Sequence, residues 1–238
     1  SIGAAWIFKK ETINGLFCGR LFNLHGTRLP QNRGGGGFSW QILTGNRFGF
    51  CTIHLIDSGI DTGDLISYDE FLFPVHCRIP LDYDLYHDSR SIKFIINFIS
   101  KYSDEERILS TQKQSEYFSS YWPRLNTELN SWVDWNMHYT DLDSFICAFD
   151  DPYIGAKTFL NGETVHIKKS SPNKQDGIFH PYQSGIIYRK SEKWICVASK
   201  DGAIIIEEVF NRKGINIIDQ ISIGDRFVTP IKYLDESK

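Results

Sequence analysis

Long apolar runs are missing from this sequence of 238 residues. A helix that spans a bilayer needs at least about 18 consecutive, mostly apolar residues. The best candidate, residues 94–99, is far shorter and contains Asn97. We therefore expect no membrane partner.

Cysteines are few and show no metal-binding pattern. The five cysteines are scattered along the chain, their number is odd, and no C-x-x-C spacing occurs. A disulfide framework needs paired cysteines, and a structural zinc site needs closely spaced ones. The pattern favours reduced, buried thiols in a cytoplasmic protein.

An excess of charge of either sign is also absent. The formal net charge is -3, whereas nucleic-acid-binding domains are typically strongly basic. Apolar residues make up 41% of the chain and charged residues 23%, and these ordinary globular values exclude intrinsic disorder. The length suits one large domain or two modest ones.

The first half of the chain alternates between helical and strand-like patterns. Residues 38–43 and 83–102 place apolar residues at helical spacing. Residues 48–56 and 68–75 are rich in aromatic and β-branched residues, which predicts strands. This mixture predicts an α/β layer.

The pattern changes after Lys101. Residues 103–134 are polar and predict a connector that packs through Tyr117, Tyr121 and Trp122. The later residues form five short strand patterns, and Asn161-Gly162 is typical of a hairpin turn. Short strands of this kind predict a small β-barrel or sandwich.

The most informative stretch is residues 23–34, NLHGTRLPQNRG. Asn23 and His25 are two positions apart, so their side chains lie on the same side of an extended segment. An amide beside an imidazole at a strand end suits a binding site, because α/β sheets bind ligands at strand ends. A capped strand end followed by a flexible glycine loop, residues 34–37, explains these residues equally well.

A second stretch, residues 57–64, has the sequence DSGIDTGD. Its carboxylates could bind a cation, but the pattern lacks the Glu at the twelfth position of an EF-hand loop. Turns rich in Asp and Gly are also common without any function. Taken alone, this stretch favours a structural turn.

Together the two stretches resemble the folate-dependent formyltransferase superfamily. The shared pattern is Asn-x-His-x-x-x-Leu-Pro and Arg-Gly in residues 23–34, an aromatic helix ending in glycine, a strand, and Asp-Thr-Gly-Asp in residues 61–64. Further along, WVDW of residues 132–135, FDDPYIGA of residues 149–156 and Gly202-Ala203 resemble the OB-like C-terminal domain of the methionyl-tRNA and aminoarabinose-pathway members. The resemblance covers nearly the whole chain.

The resemblance implies a partial Rossmann-like formyltransferase domain followed by a small all-β, OB-like domain. It assigns residues 1–112 to the C-terminal portion of the catalytic domain, 113–133 to a connector and 134–238 to the OB-like domain. The family's first β-α-β unit has no counterpart, because the chain opens with residues that resemble a buried strand. We expect either a fragment of a longer enzyme or a protein that has lost part of its folate pocket.

The implied reaction transfers a formyl group from the co-substrate N10-formyltetrahydrofolate to a primary amine. By resemblance, Asn23 would donate to the formyl oxygen, and His25 would stabilise or protonate the developing oxyanion. Asp61 would orient His25, raise its pKa and accept the proton of the amine through a water. This chemistry needs no metal, and the three side chains should converge within a few ångströms.

Further site residues follow from the same resemblance. The pterin pocket would be lined by the loop of residues 57–61 through backbone groups and by the segment after His25. The expected cofactor-binding residues are Thr27, Leu29, Pro30, Asp57, Gly59 and Ile60. Arg33 and, as a second choice, Arg124 are the cations expected near an anionic acceptor.

Two other histidines receive different interpretations. His54 alternates with Thr52 and Ile56 in a predicted strand and is interpreted as a packed, structural histidine. His76 and Cys77 are adjacent, so in a strand they point to opposite faces and do not form a nucleophile pair.

The acceptor amine stays open between a nucleotide-linked amino sugar and methionyl-tRNA. Residues 149–238 contain 13 Lys and Arg against 12 Asp and Glu, whereas tRNA binding requires a basic face. This near-neutrality favours the amino sugar, and the sugar-modifying members suggest a homodimer. Other amines, hydrolysis of the formyl donor, and a non-catalytic binding protein with an incomplete folate site are the remaining alternatives.

Overall fold

The computed structural model describes residues 1–2, 6–103 and 109–237. They divide into two compact units. Unit 1 consists of Ser1–Trp40, Arg47–Cys77 and Asp82–Arg124, and unit 2 of Gln41–Asn46, Arg78–Leu81 and Leu125–Lys238. Along the chain the final division falls after Arg124, inside the predicted connector. The predicted domain boundaries themselves stay a prediction.

Eleven strands and six α-helices follow one another in the described residues. Up to residue 124 they are α1 (Lys10–Gly15), β1 (Phe22–His25), β2 (Arg33–Gly34), α2 (Gly37–Leu43), β3 (Phe48–Leu55), β4 (Leu65–Leu72), α3 (Pro80–Tyr102) and β5 (Tyr121–Trp122). The later ones are α4 (Thr127–Asn130), α5 (Tyr139–Ala148), β6 (Ala156–Leu160), β7 (Glu163–Asn173), β8 (Ile187–Lys190), β9 (Ile195–Ser199), β10 (Gly202–Asn211), β11 (Phe227–Val228) and α6 (Ile231–Glu236).

Unit 1 is built on a three-stranded sheet with the order β1-β3-β4. Both pairings are antiparallel, and an isolated parallel bridge joins Ile2 to Leu24 of β1. The short strands β2 and β5 form a separate parallel pair that sets Gly34 opposite Trp122. The predicted mixture of helices and strands is confirmed.

Phe73, at the end of β4, is the centre of the core of unit 1. Its side chain is fully buried, and its ring lies 4.1 Å from that of Tyr83 on α3 and 5.8 Å from that of Phe38 on α2. The predicted strand at residues 68–75 was placed three residues too late. The strand β4 ends at Leu72, so Phe73 and Pro74 lie outside it. Pro74 has no backbone N–H and cannot donate a hydrogen bond to a neighbouring strand.

Helix α3 buries a different face from the one that its apolar residues predict. The side chains of Tyr83, His87 and Ser91 are buried at successive turns. The apolar residues that gave the helical pattern include Leu85 and Ile92, and both are exposed. The helical period is confirmed, and the buried face is an aromatic and polar stripe that packs on the aromatic core.

Unit 2 is a curled six-stranded antiparallel sheet with the order β11-β6-β7-β10-β9-β8. The N–H of Ile187 donates to the carbonyl of Asp225 over 2.9 Å, and the N–H of Phe227 donates to that of Gly185 over 2.9 Å. These bonds join the two outer strands, so the sheet closes as a small barrel does. Helix α5 packs against β7 and β10.

The hairpin between β6 and β7 has the predicted turn. Asn161 and Gly162 have φ angles of 50° and 84°, and a two-residue hairpin loop of type I′ requires positive φ at both positions. Separately, among the described residues no helix is both long and apolar enough to cross a membrane.

Candidate active site

The site begins with a register between two strands. The pairing of β1 with β3 sets Asn23 opposite His54 and His25 opposite Thr52. Directly opposed residues in an antiparallel pair have neighbouring side chains on one face. The Nδ2 atom of Asn23 accordingly lies 3.3 Å from Nε2 of His54.

Asp61 joins this face from the loop between β3 and β4. Its Oδ1 atom lies 3.7 Å from Nδ1 of His25 and 3.6 Å from Nε2 of His54, and its Oδ2 accepts a hydrogen bond of 3.0 Å from the N–H of Gly34. Asp61 has a φ of 54°, in the left-handed region that Asp tolerates better than most residues. We call His25, His54, Asp61 and Asn23 the site cluster.

The loop that carries Asp61 is held from both sides. The side-chain amide of Gln114 donates to the carbonyl oxygens of Asp61 over 2.8 Å and Gly63 over 2.6 Å. Within the loop, Oδ1 of Asp57 accepts from the N–H of Gly59 and the hydroxyl of Thr62. These bonds fix the unusual backbone at Asp61, which in turn fixes its carboxylate.

Each imidazole of the site cluster is oriented by a backbone carbonyl. The Nε2 atom of His25 lies 2.8 Å from the carbonyl oxygen of Asn32, and the hydroxyl of Thr27 is 2.7 Å away. The Nδ1 atom of His54 lies 2.7 Å from the carbonyl oxygen of Leu55. Because carbonyl oxygens only accept, these two ring nitrogens donate, and the opposite ring nitrogens face Asp61.

The titration of the cluster is set by burial and by the carboxylate. Desolvation lowers the pKa of His25, and the opposing effects of Asp61 and the Asn32 carbonyl do not cancel it. Desolvation would raise the pKa of Asp61, but contacts with His54, His25 and the Gly34 N–H together outweigh it, so the pKa lies below its usual range. The carboxylate raises the pKa of His25 as expected, yet the net shift is downward. At neutral pH the cluster therefore holds an ionised carboxylate and a neutral His25.

The six residues predicted to bind the cofactor lie in two different settings. Thr27, Leu29 and Pro30 are buried in unit 1, and the Thr27 hydroxyl contacts the ring of His25. Asp57, Gly59 and Ile60 are on the surface of the Asp61 loop. Whether either group contacts a cofactor stays a prediction.

The two predicted acceptor cations differ in how they are held. Arg33 is buried, and its guanidinium makes two hydrogen bonds to Glu116, of 3.0 and 2.8 Å, and one of 3.1 Å to Gln114. Binding an anion through Arg33 would require that pair to open. Arg124 is exposed, and its Cβ lies beside Gly35.

Two members of this arrangement were not predicted as site residues. His54 is buried as interpreted, but it also contacts Asp61 and Asn23. In β3, His54 lies two residues after Thr52, so both side chains are on one face of the strand. That face could be identified as the site face only from the pairing of His54 with Asn23. Gln114 lies more than fifty positions from Asp61 in sequence, and nothing in its neighbourhood marks it.

An exposed aromatic surface lies next to Gly34. The ring of Trp122 is 5.1 Å from that of Trp40, whose indole N–H donates to the carbonyl of Pro123. Tyr121, 56% exposed, also lies beside Gly34, and Tyr117 of the connector is 89% exposed. The prediction that Tyr117 packs the connector onto the fold is wrong for that residue, because its ring faces solvent.

Comparison with known proteins finds a family model that matches the later part of the chain. Residues 127–221 match the model of the formyl transferase C-terminal domain. The chain is similar to formyltransferases in its sequence and in its fold. The matched residues include the three later motifs of the sequence analysis, at residues 132–135, 149–156 and 202–203. The resemblance that rests on these motifs is confirmed.

Relatives in sequence and in structure extend the likeness to the rest of the chain. The chain is 26% identical over 187 residues to a methionyl-tRNA formyltransferase of Clostridium tetani, covering 79% of this chain and 58% of that relative. The structure of WlaRD, a sugar 3N-formyl transferase in the presence of dTDP and 5-N-formyl-THF, superposes with a TM-score of 0.60 and 24% identity, covering 89% of this chain and 72% of that one. HypX from Aquifex aeolicus in complex with tetrahydrofolic acid superposes with a TM-score of 0.60 and 19% identity, covering 82% and 33%.

These likenesses establish the formyltransferase fold. The chain spans little more than half the length of the curated relative in Clostridium tetani. Its own activity, donor and acceptor are therefore matters for proposal.

Proposed function

We propose that the chain transfers the formyl group of N10-formyltetrahydrofolate to a primary amine. The observation that carries this proposal is the site cluster, in which one ionised carboxylate lies 3.7 Å from a neutral, buried imidazole beside an amide donor. A proton acceptor coupled to a carboxylate, with a neutral N–H donor close by, is what acyl transfer to an amine requires.

The charge state of the cluster assigns the proton path. The amine nitrogen bonds to the formyl carbon, and its proton passes to His25 as the tetrahedral oxyanion forms. The resulting imidazolium is stabilised by Asp61. As the bond from the formyl carbon to N10 breaks, the same proton passes to N10, so His25 and Asp61 return to their starting forms.

Asn23 is the proposed donor to the formyl oxygen. Its amide is positioned by Nε2 of His54, which accepts from Nδ2. His54 therefore acts as a positioning residue for both Asn23 and Asp61. For the donor, the exposed residues Asp57, Gly59 and Ile60 form the proposed pterin-facing loop.

For the acceptor, we propose a nucleotide-linked amino sugar. The near-neutral charge of residues 149–238 supports this choice, since tRNA binding depends on neutralising several phosphates. The exposed rings of Tyr121 and Trp122 beside Gly34 supply an apolar surface suited to a base or a sugar. Methionyl-tRNA is the second candidate, favoured by the likeness to the Clostridium tetani relative.

Formyl transfer assays with both acceptors test the proposal. We expect formylation of an amino-sugar nucleoside diphosphate by N10-formyltetrahydrofolate and none of methionyl-tRNA. Formylation of methionyl-tRNA alone would reverse the choice of acceptor. Absence of transfer to any amine, with the donor still bound, would favour a binding protein instead.

A further inference from the structure

Three lone-pair atoms meet in the site cluster. The Nδ1 atom of His25, Nε2 of His54 and Oδ1 of Asp61 lie within 4.8 Å of one another. The other ring nitrogens contact the carbonyl oxygens of Asn32 and Leu55, which can only accept. The ring protons are therefore on those nitrogens, and the nitrogens that face Asp61 present lone pairs.

Two ring nitrogens and a carboxylate oxygen thus converge, and Nε2 of His54 accepts a hydrogen bond from the Asn23 amide. A cation placed among the three atoms would be attracted to the carboxylate and would accept both lone pairs. A bound cation is the group that complements the arrangement.

The geometry points to a divalent transition-metal site of the zinc class, with His25, His54 and Asp61 as ligands. Two imidazoles and one carboxylate form a donor set found in catalytic zinc sites, which leave one position open. Metal-bound histidines usually donate their other ring N–H to a carbonyl or carboxylate, as both rings do here.

The spacing of the ligand atoms suits such an ion. A tetrahedral zinc ion keeps its ligand atoms about 3.4 Å apart. The separations between Asp61 and the two rings are 3.7 Å for His25 and 3.6 Å for His54. All three separations, including that between the two rings, are within 4.8 Å.

Metal binding has a consequence for the proposed chemistry. The ion occupies the lone pair of His25 that accepts the proton, and it displaces the Asn23 amide from Nε2 of His54. Zinc is therefore an inhibitor of formyl transfer. This inhibition rests on the proposed function, whereas the binding site does not.

Calorimetric titration of the metal-free protein with zinc sulfate near neutral pH tests the site. The wild type should bind one ion, and His54→Gln and Asp61→Asn should each weaken binding by at least about tenfold. His76→Gln removes an exposed histidine outside the cluster and should bind like the wild type. Equal affinity in all four proteins, or no binding by the wild type at millimolar zinc, overturns the inference.

A second measurement needs no variant and separates the two proposals. X-ray absorption of the zinc-loaded wild type should show two imidazole nitrogens and at least one oxygen on the metal, and a spectrum with fewer imidazoles overturns the site. Zinc bound in this way to a protein that transfers no formyl group supports the site and contradicts the proposed function. Formyl transfer that continues at saturating zinc supports the function and overturns the inhibition.

Discussion

The Nε2 atom of His54 lies 3.6 Å from Oδ1 of Asp61, the same oxygen that Nδ1 of His25 approaches within 3.7 Å. One carboxylate oxygen thus faces two imidazoles, whose rings are held in fixed orientations by backbone carbonyls. Because Asp61 also accepts from the Gly34 N–H, its position depends on the glycine loop as well as on its own strained backbone.

Loss of either His25 or Asp61 should abolish most of the activity. His25→Gln and Asp61→Asn should each lower kcat by about 10² to 10⁴-fold, the usual contribution of positioned acid–base groups. His54→Gln should have a smaller effect, since that residue positions the others. Asp88→Asn, which changes an exposed carboxylate on α3, is the matched control. Turnover close to wild type in Asp61→Asn, with the fold intact by circular dichroism, would contradict the mechanism.

The amide of Asn23 should matter for the transition state more than for binding. Asn23→Ala should lower kcat by about 10² to 10³-fold, as removal of an oxyanion donor does, with little change in KM. Asn14→Ala, at an exposed position on α1, should leave both constants unchanged. A rise in KM without a fall in kcat would show that Asn23 binds substrate rather than the oxyanion.

His25 should titrate below its ordinary pKa of about 6.5. Burial disfavours the imidazolium and the Asp61 carboxylate opposes that effect, so Asp61→Asn should lower the midpoint further. NMR titration of the His25 ring in protein treated with EDTA measures both values. A midpoint above about 6.5 in the wild type would contradict the assigned charge state.

The same lowered pKa predicts how stability depends on pH. The unfolded chain binds the His25 proton more tightly than the folded chain, so the free energy of unfolding should fall as the pH drops below about 6.5. Urea denaturation of wild type and His25→Gln at several pH values measures this effect. If the free energy of unfolding falls equally steeply with pH in both proteins, groups other than His25 cause the pH dependence.

Gly34 should resist substitution more than Gly45 does. Both have positive φ, 100° and 64°, and placing an L-residue in the left-handed region costs about 1 to 2 kcal/mol. At Gly34 a Cβ would also overlap the carbonyl oxygen of Trp122, whereas at Gly45 nothing lies within 4 Å. Urea denaturation should show a larger loss in the free energy of unfolding for Gly34→Ala than for Gly45→Ala. Equal losses would mean that β5 shifts away from the added methyl group at no measurable energetic cost.

The exposed ring of Trp122 should contribute to acceptor binding. Trp122→Ala should raise KM for an amino-sugar nucleoside diphosphate several-fold, since stacking on a base is worth about 1 to 3 kcal/mol, and should leave kcat nearly unchanged. Trp6→Ala removes another exposed tryptophan of unit 1 and serves as the control. Identical KM values for both variants would remove this surface from the acceptor site.

Much of the fold and the family could be predicted from local sequence. The helices α2 and α3, the strand β3 and the turn at Asn161-Gly162 follow from periodicity and turn chemistry, which depend only on near neighbours. The motifs around Asn23 and Asp61 also carried the family, because they place fixed residue types at fixed spacings. What local spacing cannot give is which face of α3 is buried, since that choice depends on the aromatic core around Phe73.

The sequence by itself therefore determined several elements, the resemblance to formyltransferases and the candidates Asn23, His25 and Asp61. Only the tertiary structure decided that His54 joins them and that Arg33 is engaged by Glu116. Both facts arise from contacts between residues far apart in the chain: a strand register brings His54 opposite Asn23, and the connector brings Glu116 to Arg33. Short-range sequence patterns do not predict such pairs, because these contacts form only when folding brings distant segments of the chain together.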